Sequence, residues 1–300
     1  MIQPFVTAEE LAELGPVALV DVGVNGDGVP PHEAFVSGHL PGATFLDMDR
    51  WAAGPATGQG GRHPLPEPEV FAEGMRRAGV GRMQAVVAYD RVGGVFAARL
   101  VWLLRSIGHP AALLDGGMNA VGTDRERGDV PPEFGDFMAE SWPAEHFADM
   151  AEVERIGREC VEGTATTVLL DARERARYEG EQHPLDIKQG HIPGARSLPC
   201  RENVDSDGRL LPLPVLTSRL ASLGVSSPQS PVISSCGSGV TACHTLLIME
   251  QVGLGRGRLY VGSWSQWCAS ERPIAVGDDP CADLVGSDRP PSSAEGGERR

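Results

Sequence analysis

The chain has 300 residues, enough for two domains of roughly 150 residues each, with two ordinary cores and no dependence on disulfides. Apolar residues make up 41% and charged residues 22%, and Gly 38 with Pro 24 suits a loop-rich α/β protein and excludes collagen, coiled coil and wholesale disorder. Lys+Arg 26 against Asp+Glu 41 gives a net charge of −15, a field that repels nucleic acid and anionic membrane in the absence of a local basic patch.

In chain order, short apolar runs at Ala18 to Val22, Ala85 to Tyr89, Ala111 to Leu114, Thr167 to Leu170, Pro231 to Ile233 and Arg258 to Val261 are expected to be buried parallel strands. Between them, Val70 to Ala78, Val95 to Ser106, Ala151 to Glu162, Leu216 to Leu223 and Thr241 to Val252 are expected to be helices. The alternation predicts an α/β fold, with a parallel central sheet flanked by helices. The six cysteines, Cys160, Cys200, Cys236, Cys243, Cys268 and Cys281, are neither dense nor grouped as CxxC, so neither a disulfide framework nor a zinc site is expected. With no leader-like start and no run of about 18 apolar residues, the expectation is a soluble, cytoplasmic protein.

The chain repeats its own phrase. LVDVGVNG at Leu19 to Gly26, then GHLPGATFL at Gly38 to Leu46, returns as LLDARERA at Leu169 to Ala176, then GHIPGARSL at Gly190 to Leu198. Asp21 and Asp171 are 150 positions apart, the two GH pairs 152, and Asp90 to Cys236 and Gly116 to Gly262 are both 146. A near-constant offset of domain length means duplication, not a solenoid. The expected organisation is a first domain over 1–124, a linker over 125–145 where charge, Pro and Gly replace periodicity, a second domain over 146–276, and a disordered tail over 277–300.

SSCGSGVTACH at Ser234 to His244 follows an apolar run and precedes a helix-capable segment, which implies strand, tight loop, helix. Gly237 and Gly239 allow successive amides to turn inward, and the helix beginning near Thr241 adds its positive end. A sulfur at Cys236 in such a cradle favours thiolate over thiol and can carry a persulfide anion; the residues by themselves fit a small buried cysteine equally well. CGSGVTAC at Cys236 to Cys243 resembles the active-site loop of the tandem-rhodanese sulfurtransferases, and in particular of their 3-mercaptopyruvate-using members. GHIPGA at Gly190 to Ala195 and GSWSQW at Gly262 to Trp267 resemble two further signatures of that family, and GRHPLP at Gly61 to Pro66 and LLDGGMNA at Leu113 to Ala120 extend the resemblance over about Thr7 to Gly277.

The resemblance implies two rhodanese-like domains, the first inactive with Asp90 in AYDRVGG at the nucleophile's position, the second catalytic through Cys236. It implies transfer of a sulfane sulfur from a small-molecule donor through a Cys236 persulfide to cyanide or a thiol such as thioredoxin, with no metal or cofactor. It also implies a donor cradle of Gly237, Gly239, Val240 and Thr241, an anchor at Arg177, a relay of Ser238, His63 and Asp49, and Tyr89 lining the cleft between domains. The neutral Gly237 and Ser238 favour 3-mercaptopyruvate over thiosulfate as donor. Where animal members carry a second arginine before GHIPG, EQHPLD at Glu181 to Asp186 has none; Lys188 or His183 are the substitutes at hand, beside the plainer reading of a solvated loop.

Asp171, Arg173 and Asp21 are expected to hold strand ends, His39 and His191 to shape turns, and Cys243 to be buried within the following helix. A cysteine phosphatase would need Arg six positions after the nucleophile, where Ala242 stands. The remaining alternatives are a thiosulfate:cyanide sulfurtransferase and a noncatalytic persulfide carrier for protein partners.

Overall fold

The computed structural model describes residues 2–24, 28–129 and 131–280, so most of the expected tail lies outside the described residues. Two parallel five-stranded sheets organise the chain. The first is built from β1 (Phe5–Val6), β2 (Ala18–Gly23), β3 (Thr44–Asp47), β4 (Val86–Tyr89) and β5 (Ala111–Leu114), in the order β1-β5-β4-β2-β3. The second uses β6 (Phe147–Ala148), β7 (Val168–Asp171), β8 (Ala195–Ser197), β9 (Val232–Ser235) and β10 (Arg258–Tyr260), in the order β6-β10-β9-β7-β8. The same order recurs five strands later, which establishes the duplication in three dimensions. The six expected strands are all present, with ends shifted by a residue or two; β1, β3, β6 and β8 were not signalled, because short edge strands need no continuous apolar run.

The helices are α1 (Ala8–Glu13), α2 (Pro31–Ser37), α3 (Met48–Trp51), α4 (Pro68–Arg77) and α5 (Ala97–Ser106), then α6 (Met150–Val161), α7 (Arg175–Glu179), α8 (Leu213–Ser222), α9 (Ala242–Gln251) and α10 (Ser263–Trp267). Local chemistry starts several of them. Thr7 and Glu10 form a reciprocal capping box on α1, Asp149 caps α6, and Pro occupies the first turn of α2, α4 and α8.

Every residue of α5 is buried, as are eight of the ten in α9. Helices buried on nearly every side must be covered on nearly every side, and these two cover each other across the domain junction within one continuous core. Arg105 on α5 makes a two-pronged pair with Glu250 on α9, at 2.5 and 3.2 Å. The stretch after Asp124 lies along the first domain. Glu126 pairs backbone to backbone with His39, Phe137 is buried edge-on against Phe71, and the Trp142 indole donates to the Pro66 carbonyl at 2.8 Å.

The loop after β4 shows what this architecture does at a strand end. Asp90, 2% exposed, accepts four amides: those of Val92 and Gly94 on one oxygen at 2.8 and 2.7 Å, those of Phe96 and Ala97 on the other at 2.8 and 2.9 Å. The first copy of the loop is an anion cradle occupied by the chain's own carboxylate. Asp90→Ala strands four amide donors, two buried and two part-buried, and is expected to lower stability by about 2–4 kcal/mol, read from the urea midpoint of the full chain; a change below about 0.5 kcal/mol contradicts this account.

Candidate active site

Cys236 directly follows β9, at the carboxyl end of the second sheet where the strand order reverses between β7 and β9. The Ser235 hydroxyl donates to the Leu170 carbonyl at 3.0 Å and the Ser234 hydroxyl to the Ala242 carbonyl at 3.1 Å, tying the strand end to its neighbours. The amides of Trp264 and Ser265 donate to the carbonyls of Cys236 and Gly237, each at 2.9 Å. Ser263 accepts the Cys236 amide at 3.1 Å and sits at φ 49, the one non-glycine residue among those described in the left-handed region. These contacts turn loop carbonyls toward α10. The Gly239 amide points the other way, onto the Cys236 sulfur at 3.1 Å. Gly239 has φ +75, and a Cβ there would lie 2.4 Å from the Val261 carbonyl oxygen, so the position requires glycine.

The first domain holds this loop from below. Arg99 on α5 is fully buried and donates to the Gly239 carbonyl at 2.8 Å, to those of His63 and Pro64 at 3.2 and 3.3 Å, and to that of Ala52 at 3.3 Å. Burial pulls its guanidinium below its ordinary pKa. No carboxylate among the described residues lies within ion-pair distance of it.

Above the sulfur is a cavity of about 370 Å³, lined by Cys236, Gly237, Ser238, Val240 and Thr241 together with Asp49, Arg62 and His63 of the first domain and Arg173, Arg177 and Cys200 of the second. Cys236 is 2% exposed, and that small exposure borders the cavity. The Ser238 hydroxyl is 2.8 Å from His63 Nδ1, and His63 Nε2 is 3.2 Å from Asp49. With the Nε2 proton donated to Asp49, Nδ1 accepts from Ser238, and a hydrogen-bonded chain of three side chains crosses the domain junction to the sulfur's side. The Cys200 and Cys243 thiols are each pushed up to about 12 by burial, so neither supplies a thiolate at neutral pH.

Arg177 lies in the cavity wall, with one edge engaged: Nε and Nη2 donate to the two Asp186 oxygens at 2.9 and 2.8 Å. Arg177, expected as an anchor, thus stands beside the cavity and at the same time in an ion pair within its own domain. Lys188 donates to the Ser270 carbonyl and His183 accepts the Leu185 amide, so neither borders the cavity. Tyr89 is a correction. It is fully buried in the first domain's core, its hydroxyl accepts the Leu40 amide at 3.0 Å and bonds Asp21, and it does not line the cleft. The expected structural residues behave as such: Arg173 is doubly bonded to Asp171, Arg91 reaches Asp21, and His39 and His191 stack on Phe35 and Tyr178.

Sequence reasoning missed Arg62, Arg99 and Asp186. Arg62 stands next to His63 in the quoted GRHPLP motif, and that adjacency was its only signal.

A free cysteine in a glycine loop, at the end of a parallel strand and under an interdomain cavity, defines a two-domain α/β protein with a nucleophilic-thiol site. The family model for the rhodanese-like domain matches residues 7–124 and again 157–270. A probable 3-mercaptopyruvate sulfurtransferase of Pseudomonas aeruginosa is 39% identical over 251 residues, 81% of this chain and 86% of that protein. The putative thiosulfate sulfurtransferase SseB of Mycobacterium tuberculosis is 32% identical over 92% of this chain and 98% of its own length. The crystal structure of SseA from Escherichia coli, a 3-mercaptopyruvate sulfotransferase by its description, matches with a TM-score of 0.74 and 31% identity, covering 88% of this chain and all of that one. The chain belongs to the rhodanese-like family, as a tandem two-domain member.

Gly239→Ala forces a side chain into the Val261 carbonyl and turns away the amide that meets the sulfur. The rate of Cys236 alkylation by iodoacetamide at pH 7 is expected to fall roughly tenfold, the worth of one hydrogen bond to a charged group, while an unchanged rate removes that amide from the account.

Proposed function

We propose that this sulfurtransferase takes its sulfur from 3-mercaptopyruvate and passes it, through a Cys236 persulfide, to a thiol or cyanide acceptor. The observation that carries the reading is the Asp49–His63–Ser238 relay beside a sulfur whose loop bears no charge of its own. Thiosulfate leaves sulfite, which needs no proton delivered to carbon. Mercaptopyruvate leaves an enolate, which does.

In the first half-reaction the Cys236 thiolate attacks the donor's sulfur. An S–S bond forms, the donor's C–S bond breaks, and its electron pair becomes the enolate of pyruvate. The proton that the donor thiol loses ends on the enolate carbon, giving pyruvate and a persulfide anion. Ser238, hydrogen-bonded to His63, hands that proton across in this reading. In the second half-reaction a thiolate or cyanide attacks the outer sulfur, the S–S bond breaks, and Cys236 returns as thiolate. A dithiol acceptor of the thioredoxin kind then closes to its disulfide and releases hydrosulfide.

The persulfide has a structural precedent within the chain. Val92 and Gly94, whose amides hold one Asp90 oxygen, correspond by the 146-residue offset to Ser238 and Val240. Those two amides make no hydrogen bond to another described residue, which leaves them available for the outer sulfur of the anion.

Thiosulfate is the second reading, favoured by the name of the Mycobacterium tuberculosis relative. Steady-state assays with both donors separate the two. Cys236→Ser is expected to be inert with either. His63→Gln is expected to lower kcat for 3-mercaptopyruvate about 10²-fold and to affect thiosulfate far less, because general acid–base help is worth that much where a proton must move. Activity retained in Cys236→Ser ends the proposal, and a higher kcat/KM for thiosulfate reassigns the donor.

A further inference from the structure

No arginine precedes GHIPG after Arg177, but a second guanidinium reaches the nucleophile's loop from the other domain. Arg62 is held at both ends: its amide donates to the Ser265 hydroxyl at 3.0 Å and its Nη1 to the Leu185 carbonyl at 3.0 Å. Its free Nη2 is aimed at Gly237. A Cβ built on Gly237 would lie 2.9 Å from Arg62 Nη2 and 3.4 Å from Arg177 Nη2, so two guanidiniums, one from each domain, converge on the residue after the nucleophile.

The two cations differ in what they have left to offer. Arg177 already has one edge on Asp186, whereas Arg62 makes no ion pair with any described residue. Burial lowers the pKa of Arg62, and Arg177 lowers it further, against the pull of Asp186 and the Cys236 sulfur. Two like charges held together at the edge of a cavity, one of them unneutralised, form a slot that an anion relieves. The planar fork of a guanidinium fits a carboxylate, and the slot opens beside the sulfur that must be attacked.

We propose that Arg62, supplied by the domain without a nucleophile, is a second anchor for the donor's carboxylate, shared with Arg177 across Gly237. The identity of that donor rests on the function proposed above; the anion slot does not. Gly237 belongs to the same device, since any side chain there displaces Arg62. A loop cation after the nucleophile and a first-domain arginine therefore exclude each other, and this chain has the second.

The test pairs two alkylating agents that share a reacting carbon and leaving group but differ in charge. Iodoacetate carries a carboxylate and iodoacetamide does not, and mass spectrometry of the Cys236 peptide reads each rate at pH 7. The iodoacetate-to-iodoacetamide ratio is expected to fall about tenfold in Arg62→Ala and to recover partly in Arg62→Lys, which restores the charge without the fork. In turnover, KM for 3-mercaptopyruvate is expected to rise tenfold or more in Arg62→Ala, with kcat reduced less. A reagent ratio within twofold of the parent overturns the slot. A normal ratio change with an altered KM only for thiosulfate overturns the carboxylate assignment. If the parent fails to use 3-mercaptopyruvate while the ratio still falls, the donor reading is overturned and the anion slot stands.

Discussion

A guanidinium sealed inside the molecule decides where the reacting sulfur's surroundings point. Taking a cation out of water costs several kcal/mol, and Arg99 offsets that cost with four carbonyls drawn from both domains. One is the carbonyl of Gly239, whose own amide meets the Cys236 sulfur; another is the carbonyl of His63, whose ring meets Ser238. A single rigid group therefore indexes the nucleophile's loop against the relay histidine. The all-round burial of α5 makes this possible, because only a helix wholly enclosed between two domains can present a charged side chain to both without reaching solvent.

The two copies of the loop explain one another. In the first, Asp90 closes the cradle with a side chain carrying its charge two atoms beyond Cβ, and the site is chemically finished. In the second, the persulfide of Cys236 would carry its charge at the same reach, on an atom that arrives and leaves with every turnover. Substituting a permanent anion for a transient one removes the chemistry and keeps the loop folded. It also frees the first domain for a different task, since Asp49, His63 and Arg62 all enter the second domain's cavity from it.

Most of the architecture could be read from the residues because it depends on burial pattern and repetition. Val86 to Tyr89 and Val232 to Ser235 are central strands with every residue buried, and their apolar runs announce them. The two-residue edges Phe5–Val6 and Phe147–Ala148 take their identity from β5 and β10, not from their own composition. The site divides in the same way. Cys236, Ser238 and His63 stand in motifs that can be quoted, Asp49 and Arg177 follow from the resemblance alone, and the structure brings all five around one cavity. Arg62 and Arg99 act across the junction between domains, where one-dimensional spacing says nothing about which surfaces meet. Tyr89 is assigned to the cleft by resemblance; it is the last residue of β4, and its ring is buried in the first domain's core.

The charge distribution has its own logic. A chain of net charge −15 repels an anionic donor at long range, yet at physiological salt that repulsion fades within about 8 Å, and only groups near the cleft are felt. There the balance reverses: Arg62, Arg173, Arg177 and Arg201 line the cavity against Asp49 and Glu174. Arg173 is committed to Asp171 and Arg177 in part to Asp186; of the two lining arginines in no ion pair with a described residue, Arg201 donates to the Val92 carbonyl, and Arg62 is the one whose Nη2 is directed at Gly237 beside the sulfur. Its effect does not end when pyruvate departs. The second half-reaction brings an anionic acceptor, thiolate or cyanide, against a persulfide that is itself an anion. A guanidinium released by the leaving carboxylate is then the nearest charge able to reduce that repulsion. Binding the donor and admitting the acceptor thus draw on one cation at successive moments, which suits a two-step transfer at one sulfur.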